Sequence, residues 1–111
     1  MKANELKVTD IMVGDWVICY HPRRLKCFGK VSVGLLHTMQ EQEYGHIKED
    51  SPLFRIVEPI PITKELLEKN GFEFYDGGYR YEDLWIDGRN TYVHELQHYL
   101  KLCKIDKEIV V

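Results

Sequence analysis

The first half of the chain alternates apolar and polar residues in short runs, which is typical of β-strands. A turn at Gly14-Asp15 leads into a run of β-branched and aromatic residues that ends at Tyr20. Two later runs predict further strands, at residues 27–36 and 53–57. The polar stretch between them, 40–51, predicts a loop. Residues 1–58 are therefore expected to form a β-rich half, a small antiparallel β-barrel of the SH3-like type.

The second half, residues 59–111, begins with an extended connector. Pro59 and Pro61 exclude a helix there, because proline lacks the backbone N–H that a helix needs. Thr63 is a suitable N-cap for a short helix over 64–69. The Asn70-Gly71 pair then supplies the left-handed residue that ends such a helix.

The remainder of this half predicts a β-hairpin and a terminal helix. Two aromatic-rich runs, 72–75 and 78–86, flank a glycine-rich turn, which indicates a hairpin. The last helix is expected to start at Asn90 or Thr91 and to continue to about Cys103. A short strand, residues 108–111, is expected to close the chain.

The predicted elements together indicate an α+β fold. The chain has 111 residues, which suits a single domain over its whole length, 1–111. A β-rich half would come first, followed by a helix, a β-hairpin and a C-terminal helix.

Composition narrows the class of protein. The chain is 44% hydrophobic and 30% charged, as is ordinary for a soluble globular protein. A formal net charge of −3 gives no overall attraction to nucleic acid or anionic lipid. Three cysteines without disulfide-framework spacing, and no signal peptide or long apolar run, predict a cytoplasmic protein with reduced thiols that does not enter a membrane.

The strongest chemical motif is His94-Glu95-Leu96-Gln97-His98, which fits the HExxH pattern of zinc peptidases. Histidines four residues apart share a helix face, and the glutamate beside the first can act as general base on metal-bound water. In that interpretation His94 and His98 are metal ligands and Glu95 is the catalytic base.

Two observations weigh against a zinc site: the orientation of the two histidines on the helix, and the lack of a third ligand later in the chain. In helical projection both histidines lie opposite an apolar stripe that contains Val93, Leu96, Tyr99 and Leu100, so a solvated helix face explains them. The extended form of the motif needs glycine and histidine where this chain has Lys101 and Lys104. The only carboxylates after His98 are Asp106 and Glu108, in the predicted strand or tail. The favoured expectation is no catalytic residue, no metal ligand and no cofactor, with zinc as the alternative.

Other clusters of chemically capable residues have a structural interpretation beside the functional one. A local basic cluster predicts nucleic-acid contacts or a solvated loop: Arg23, Arg24, Lys26 and Lys30. Four cysteines and histidines lack the knuckle spacing of a metal site: Cys19, His21, Cys27 and His37. The acidic residues of the hairpin favour turns over acid–base chemistry: Asp76, Glu82, Asp83 and Asp87. Its aromatic residues favour packing over a binding surface: Tyr75, Tyr79, Tyr81 and Trp85.

Five segments form one ordered set along the chain: MKANEL at 1–6, VGDWV at 13–17, EPIPIT at 58–63, LEKNGF at 67–72 and YVHELQH at 92–98. This set resembles a family of small uncharacterised proteins of Bacteroides-type genomes and their phages or mobile elements. The resemblance carries no function. It implies that Val93, His94, Leu96 and Gln97 belong to the family pattern, whereas Glu95 and His98 need not.

Three functions remain as hypotheses. The first is a non-enzymatic phage or mobile-element protein that acts through an unknown protein partner. The second is a nucleic-acid-binding accessory protein that uses the four basic residues named above. The third is a minimal HExxH zinc hydrolase.

Overall fold

A computed structural model describes residues 5–88 and 91–111. It is an α+β fold with six strands, three α-helices and a short 3-10 helix at Val8–Asp10 within those residues. The chain divides into two compact units, Met1–Ile60 and Pro61–Val111. No helix in the described residues has both the length and the apolar character needed to cross a membrane.

The first unit contains an antiparallel sheet of three strands in the order β2-β1-β3. The strands are β1 at Trp16–Tyr20, β2 at Cys27–Lys30 and β3 at Ile56–Glu58. Ile18 of β1 lies opposite Phe28 on one side and Glu58 on the other. The sheet is open, so the described residues form no closed barrel.

The turn before β1 follows from its sequence. Gly14 has a φ of 94°, a backbone conformation that favours glycine. The side chain of Asp15 accepts a hydrogen bond of 2.8 Å from the backbone N–H of Met12, and its own N–H donates to the Met12 carbonyl at 3.1 Å. An aspartate that closes a turn in this way fixes where the strand begins.

The core of the first unit lies between the sheet and a helix. Val17 of β1 and Met39 of the helix are buried together in this core, with Cys19 and Leu36 packed against its edge. Strand side chains alternate between the two faces of a sheet, so Trp16, Ile18 and Tyr20 belong to the opposite face.

That helix, α1, spans Val33–Glu43 and corrects the sequence prediction. The predicted second strand over 27–36 ends at Lys30, and the helix takes the first four residues, 40–43, of the predicted loop, whereas 44–51 consist mainly of turns and bends as expected of a loop. Ser32 caps α1: its hydroxyl oxygen accepts a hydrogen bond of 3.1 Å from the backbone N–H of Leu35. The predicted third strand also shifts, from 53–57 to β3.

The second unit begins with helix α2 at Lys64–Lys69, and the predicted helix is confirmed. The Thr63 hydroxyl accepts a hydrogen bond of 3.1 Å from the backbone N–H of Leu66, as expected of an N-cap. Gly71 has a φ of 86°, so the predicted left-handed stop is also confirmed.

A second antiparallel sheet follows, in the order β4-β5-β6. Its strands are β4 at Glu73–Tyr75, β5 at Gly78–Tyr81 and β6 at Leu84–Ile86. The predicted hairpin is present, but the run 78–86, expected as one strand, turns back at Glu82, whose φ is 53°. A non-glycine residue with positive φ is uncommon, and composition gave no sign of this turn.

The last helix, α3, spans Val93–Leu102, and its cap is Tyr92 rather than Asn90 or Thr91. Asn90 lies outside the described residues. The predicted strand at 108–111 is wrong, because that segment pairs with no strand among the described residues. It is held instead by the Asn70 side chain, which donates from Nδ2 to the Val110 carbonyl at 2.8 Å and accepts from the Val110 N–H at 2.8 Å.

Candidate functional site

The HELQH segment lies at the very start of α3. Because the helix begins at Val93, Glu95 occupies the third helical position. Its carboxylate accepts a hydrogen bond of 3.0 Å, at Oε1, from the backbone N–H of Tyr92. This is the glutamate half of a capping box, which satisfies a backbone donor that the helix itself leaves unpaired. Glu95 therefore has a structural role in the first turn of α3.

The two histidines of the motif adjoin each other, as their spacing predicts. The ring centroids of His94 and His98 are 5.8 Å apart at an interplanar angle of 80°. The His94 ring also stacks on Tyr92, with 6.2 Å between centroids. His94 is only 5% exposed, so the solvated-face interpretation is wrong for it, whereas His98 is half-buried. The predicted apolar stripe is confirmed for Val93, Leu96 and Leu100, which are buried. Tyr99, which was also assigned to the stripe, is exposed.

Metal chemistry needs a third ligand. Within residues 5–88 and 91–111, no three His, Cys, Asp or Glu side chains are grouped so that they could hold a metal ion. This applies both to the HELQH histidines and to the second set considered from sequence. In that second set, Cys19 and Cys27 lie opposite each other on neighbouring strands, His21 binds a backbone carbonyl, and His37 lies beside Glu41.

The cysteine pair has unequal thiols. Burial raises the pKa of Cys19. The charge of Arg55 lowers this pKa by a smaller amount, and the neighbouring Cys27 raises it slightly further. Cys27 is exposed, and its Sγ donates to the Cys19 carbonyl at 3.1 Å. A thiol with a raised pKa carries less thiolate at neutral pH, so on that ground Cys19 is a weaker nucleophile than an ordinary cysteine.

The four basic candidates from sequence do not form one patch. The Lys26 ammonium donates to Glu58 Oε1 at 2.9 Å, and this hydrogen bond raises the pKa of Lys26. Lys30 lies over the Trp16 ring, 5.3 Å from its centroid. Arg23 and Arg24 instead line a cavity, and they are joined there by an arginine from a distant part of the chain.

This cavity, the arginine pocket, has a volume of about 400 Å³. Its lining residues are His21, Arg23, Arg24, Asp50, Pro52 and Arg55. His21 joins the two loops that form the pocket by hydrogen bonds. The backbone N–H of Arg23 donates to Nδ1 of His21 at 3.1 Å, so we assign the ring hydrogen to Nε2, which points at the Ser51 carbonyl 3.1 Å away.

Arg55 is held in the pocket by both its side chain and its backbone. Its Nη1 donates to the carbonyls of Pro52 and Phe54, at 2.8 Å each. Gln42 of α1 clamps its backbone: the Arg55 N–H donates to Oε1 at 2.7 Å, and Nε2 donates to the Arg55 carbonyl at 2.9 Å. Sequence reasoning missed Arg55, because only the fold brings it beside Arg23 and Arg24.

An apolar groove of about 260 Å³ adjoins the same stretch of chain. It is lined by Ile18, Lys26, Cys27 and Phe28. Phe28 is 57% exposed, and Leu25, in the loop before β2, is 92% exposed. We call Leu25, Phe28 and this groove the hairpin face, after the antiparallel pair that β1 and β2 form in the first unit. It presents large apolar side chains to solvent beside charged residues.

The second unit has a different surface on its hairpin, lined by Tyr75, Asp76, Arg80, Glu82, Asp83 and Trp85. The Trp85 indole donates to the Tyr75 carbonyl at 2.8 Å, and the Arg80 guanidinium lies over the Tyr75 ring at 4.5 Å from its centroid. Asp76 and Glu82 have positive φ, of 52° and 53°. Hairpin geometry thus accounts for these two acidic residues. Tyr79 and Tyr81 contact the rings of Phe74 and Phe72, as packing residues do, whereas Tyr75 and Trp85 are 52% and 45% exposed.

No protein-family model, no curated protein and no solved structure matches this chain. The resemblance to small proteins of Bacteroides-type genomes therefore stays a prediction. Function has to be argued from the sites on the molecule.

Proposed function

We propose that the protein is a non-enzymatic interaction module that binds a partner protein through the hairpin face. The observation that carries the proposal is the exposure of two large apolar side chains: Leu25, in the loop before β2, and Phe28, which lines an apolar groove. Burial of these side chains against a partner would remove apolar surface from water, the main driving force of protein association.

The surroundings of the groove support a protein as its occupant. Interfaces are enriched in aromatic residues and arginine, with an apolar centre and a polar rim. Here Ile18 and Phe28 give the groove an apolar lining and Lys26 adds a charge, while Arg24 belongs to the arginine pocket on the same stretch of chain. Arg24 and Lys26 are two residues apart, so their Cα atoms are at most about 7 Å from each other. A partner segment with an anionic group beside an apolar side chain matches this combination.

The test uses a photo-crosslinking phenylalanine analogue at position 28, introduced into the full chain in its native cells. The same analogue at Tyr44, an exposed aromatic position outside the hairpin face, is the matched control. A partner captured from position 28 and not from position 44 is then purified, and its affinity is measured directly.

We expect Phe28→Ser to weaken that affinity by at least about tenfold, because a central aromatic anchor contributes roughly 2 kcal/mol or more. Tyr44→Ser should leave it unchanged. Equal affinity for the wild type and Phe28→Ser would reject the hairpin face. Turnover of any substrate that a single substitution abolishes would contradict the non-enzymatic part of the proposal.

The second candidate function is binding of nucleic acid, and the clustering of Arg23, Arg24 and Arg55 favours it. Single strands bind to cationic grooves beside exposed aromatic rings, and Phe28 is such a ring. A gel-shift titration over a range of salt concentrations tests it. Binding should weaken steeply with salt, and Arg23→Gln/Arg24→Gln should flatten that dependence by roughly 0.7 log units for each phosphate that is no longer neutralised. Absence of salt-sensitive binding to DNA or RNA rejects this candidate.

A further inference from the structure

We propose that the arginine pocket is an oxyanion site that takes the dianion of a phosphate monoester. Three arginines line one cavity. Arg23 and Arg24 offer N–H donors in a planar fork that matches the oxygens of a phosphate, and Arg55, whose Nη1 already donates to two carbonyls, has Nη2 and Nε left to donate. This inference does not depend on a partner protein, because simple phosphate compounds are enough to test it.

The charge of the lining selects a dianion. Arg23, Arg24 and Arg55 face one carboxylate, that of Asp50, which leaves two positive charges uncompensated. Arg23 and Arg24 form no ion pair with any residue that the structure describes. A phosphate monoester carries a charge close to −2 at neutral pH, whereas a diester or a carboxylate carries only −1. The monoester is therefore the ligand that neutralises the pocket.

The pocket is also organised before any ligand arrives. Arg55 is held at both its backbone and its guanidinium, because Gln42 binds its backbone N–H and carbonyl and two carbonyls accept from its Nη1. His21 joins the loop of Arg23 and Arg24 to the loop around Ser51. A site whose donors are already positioned loses less entropy on binding than a set of free surface arginines.

The experiment is an NMR titration of the ¹⁵N-labelled full chain with methyl phosphate, and in parallel with dimethyl phosphate at matched ionic strength. Dimethyl phosphate differs from methyl phosphate by one added methyl group, which esterifies one anionic oxygen and so removes the second negative charge. We expect saturable shifts of the amide resonances of residues 21–24 and 50–55, with methyl phosphate bound at least about tenfold more tightly near pH 7.5 than dimethyl phosphate. Equal weak binding of the two would overturn the proposal.

Three variants locate the site. Arg23→Gln/Arg24→Gln should weaken methyl phosphate by at least about tenfold, whereas Lys64→Gln, which removes an exposed charge outside the pocket, should not change its affinity. Asp50→Asn should strengthen binding, because the carboxylate repels the ligand. If Asp50→Asn weakens binding, or if the double variant leaves it unchanged, the arginine pocket is not the site.

A further comparison distinguishes a phosphorylated protein segment from a small phosphorylated molecule as the natural ligand. Only this comparison rests on the hairpin-face proposal. A phosphoserine peptide with flanking leucines is titrated against the wild type and Phe28→Ser. A peptide that binds more tightly than methyl phosphate, and loses that advantage in Phe28→Ser, identifies a phosphorylated partner segment. A peptide no tighter than methyl phosphate identifies a small phosphorylated molecule. In that second case the phosphate site stands, and a phosphorylated segment that docks on the hairpin face is ruled out.

Discussion

Glu95 separates the two interpretations of the HELQH segment. A zinc peptidase needs this carboxylate as a base near the metal, whereas α3 uses it to accept the backbone N–H of Tyr92. The two roles differ in what they require of the side chain. A cap needs only an oxygen that accepts a hydrogen bond, and glutamine supplies one as well as glutamate does. A general base needs an ionisable carboxylate.

We therefore expect Glu95→Gln to retain most of the stability and Glu95→Ala to lose about 1 kcal/mol, because only alanine leaves the Tyr92 N–H without its acceptor. The measurement is the free energy of unfolding in urea, with Glu65→Gln, in the first turn of α2, as a control for loss of charge at a helix start. Metal analysis of the same preparations, made without a His-tag, should find no zinc near one equivalent. Stoichiometric zinc that disappears in His98→Ala would restore the peptidase interpretation.

Residues close in sequence were predictable as a group, whereas residues joined by the fold were not. Arg23 and Arg24 were recognised as basic neighbours because they are adjacent in the chain. Arg55 was missed, since it lies in the pocket only because His21 hydrogen-bonds to the Ser51 carbonyl and Gln42 hydrogen-bonds to the Arg55 backbone. Lys30 was grouped with the arginines, yet it lies over Trp16, its partner across the two strands.

At the scale of elements, α1 shows how a short amphipathic helix can pass for strand and loop. Val31 and Val33 alternate as in a strand, and Gly34 resembles a bend. Only Met39 of α1 is buried, so the apolar face is narrow and its helical period is weak. The deciding feature was local: Ser32 is a good N-cap. Helix α2 was predictable because cap, body and stop agreed.

The C-terminal segment gives the opposite lesson about elements. Its apolar residues predicted a strand, but its backbone at Val110 pairs with the side chain of Asn70 instead. Asn70 is 2% exposed, and its Nδ2 also donates to the Leu66 carbonyl at 2.8 Å. One amide thus joins the end of α2 to the Val110 backbone, with a donor and an acceptor arranged like the neighbouring backbone groups of a β-strand. Sequence alone identified Asn70 only as a helix stop.

We expect Asn70→Ala to lower the free energy of unfolding by about 2–4 kcal/mol, since it removes three hydrogen bonds made by a buried side chain and leaves part-buried backbone groups without these partners. Asn70→Asp should be at least as harmful, because a carboxylate oxygen would then face two carbonyl oxygens. Lys69→Ala is the matched control. Its ammonium also reaches this segment, at 3.0 Å from the Val111 carbonyl, but it is exposed and should cost about 0.5 kcal/mol or less. A small effect of Asn70→Ala, measured by urea unfolding, would show that the segment is not fixed by this amide.

For the molecule as a whole, the α+β class followed from the sequence, whereas the described residues form no closed barrel. The first unit has three strands, as the apolar runs predict, but they form an open sheet, and residues 33–36 of the second run belong to α1. The chain also forms two compact units, of about 60 and 50 residues. Domains of that size bury a smaller fraction of their surface on folding than larger domains do, and they are marginally stable alone.

That size argument predicts one cooperative unfolding transition for the whole chain, as the single-domain expectation requires. The two tryptophans make it measurable, because Trp16 belongs to the first unit and Trp85 to the second. In Trp16→Phe the fluorescence reports only the second unit, and in Trp85→Phe only the first. We expect each fluorescence curve in urea to coincide with the far-UV circular dichroism of the same variant. The urea dependence of the unfolding free energy should be that of about 110 residues. Two separated transitions, each with roughly half that dependence, would mean that the units unfold independently and that the chain is two domains.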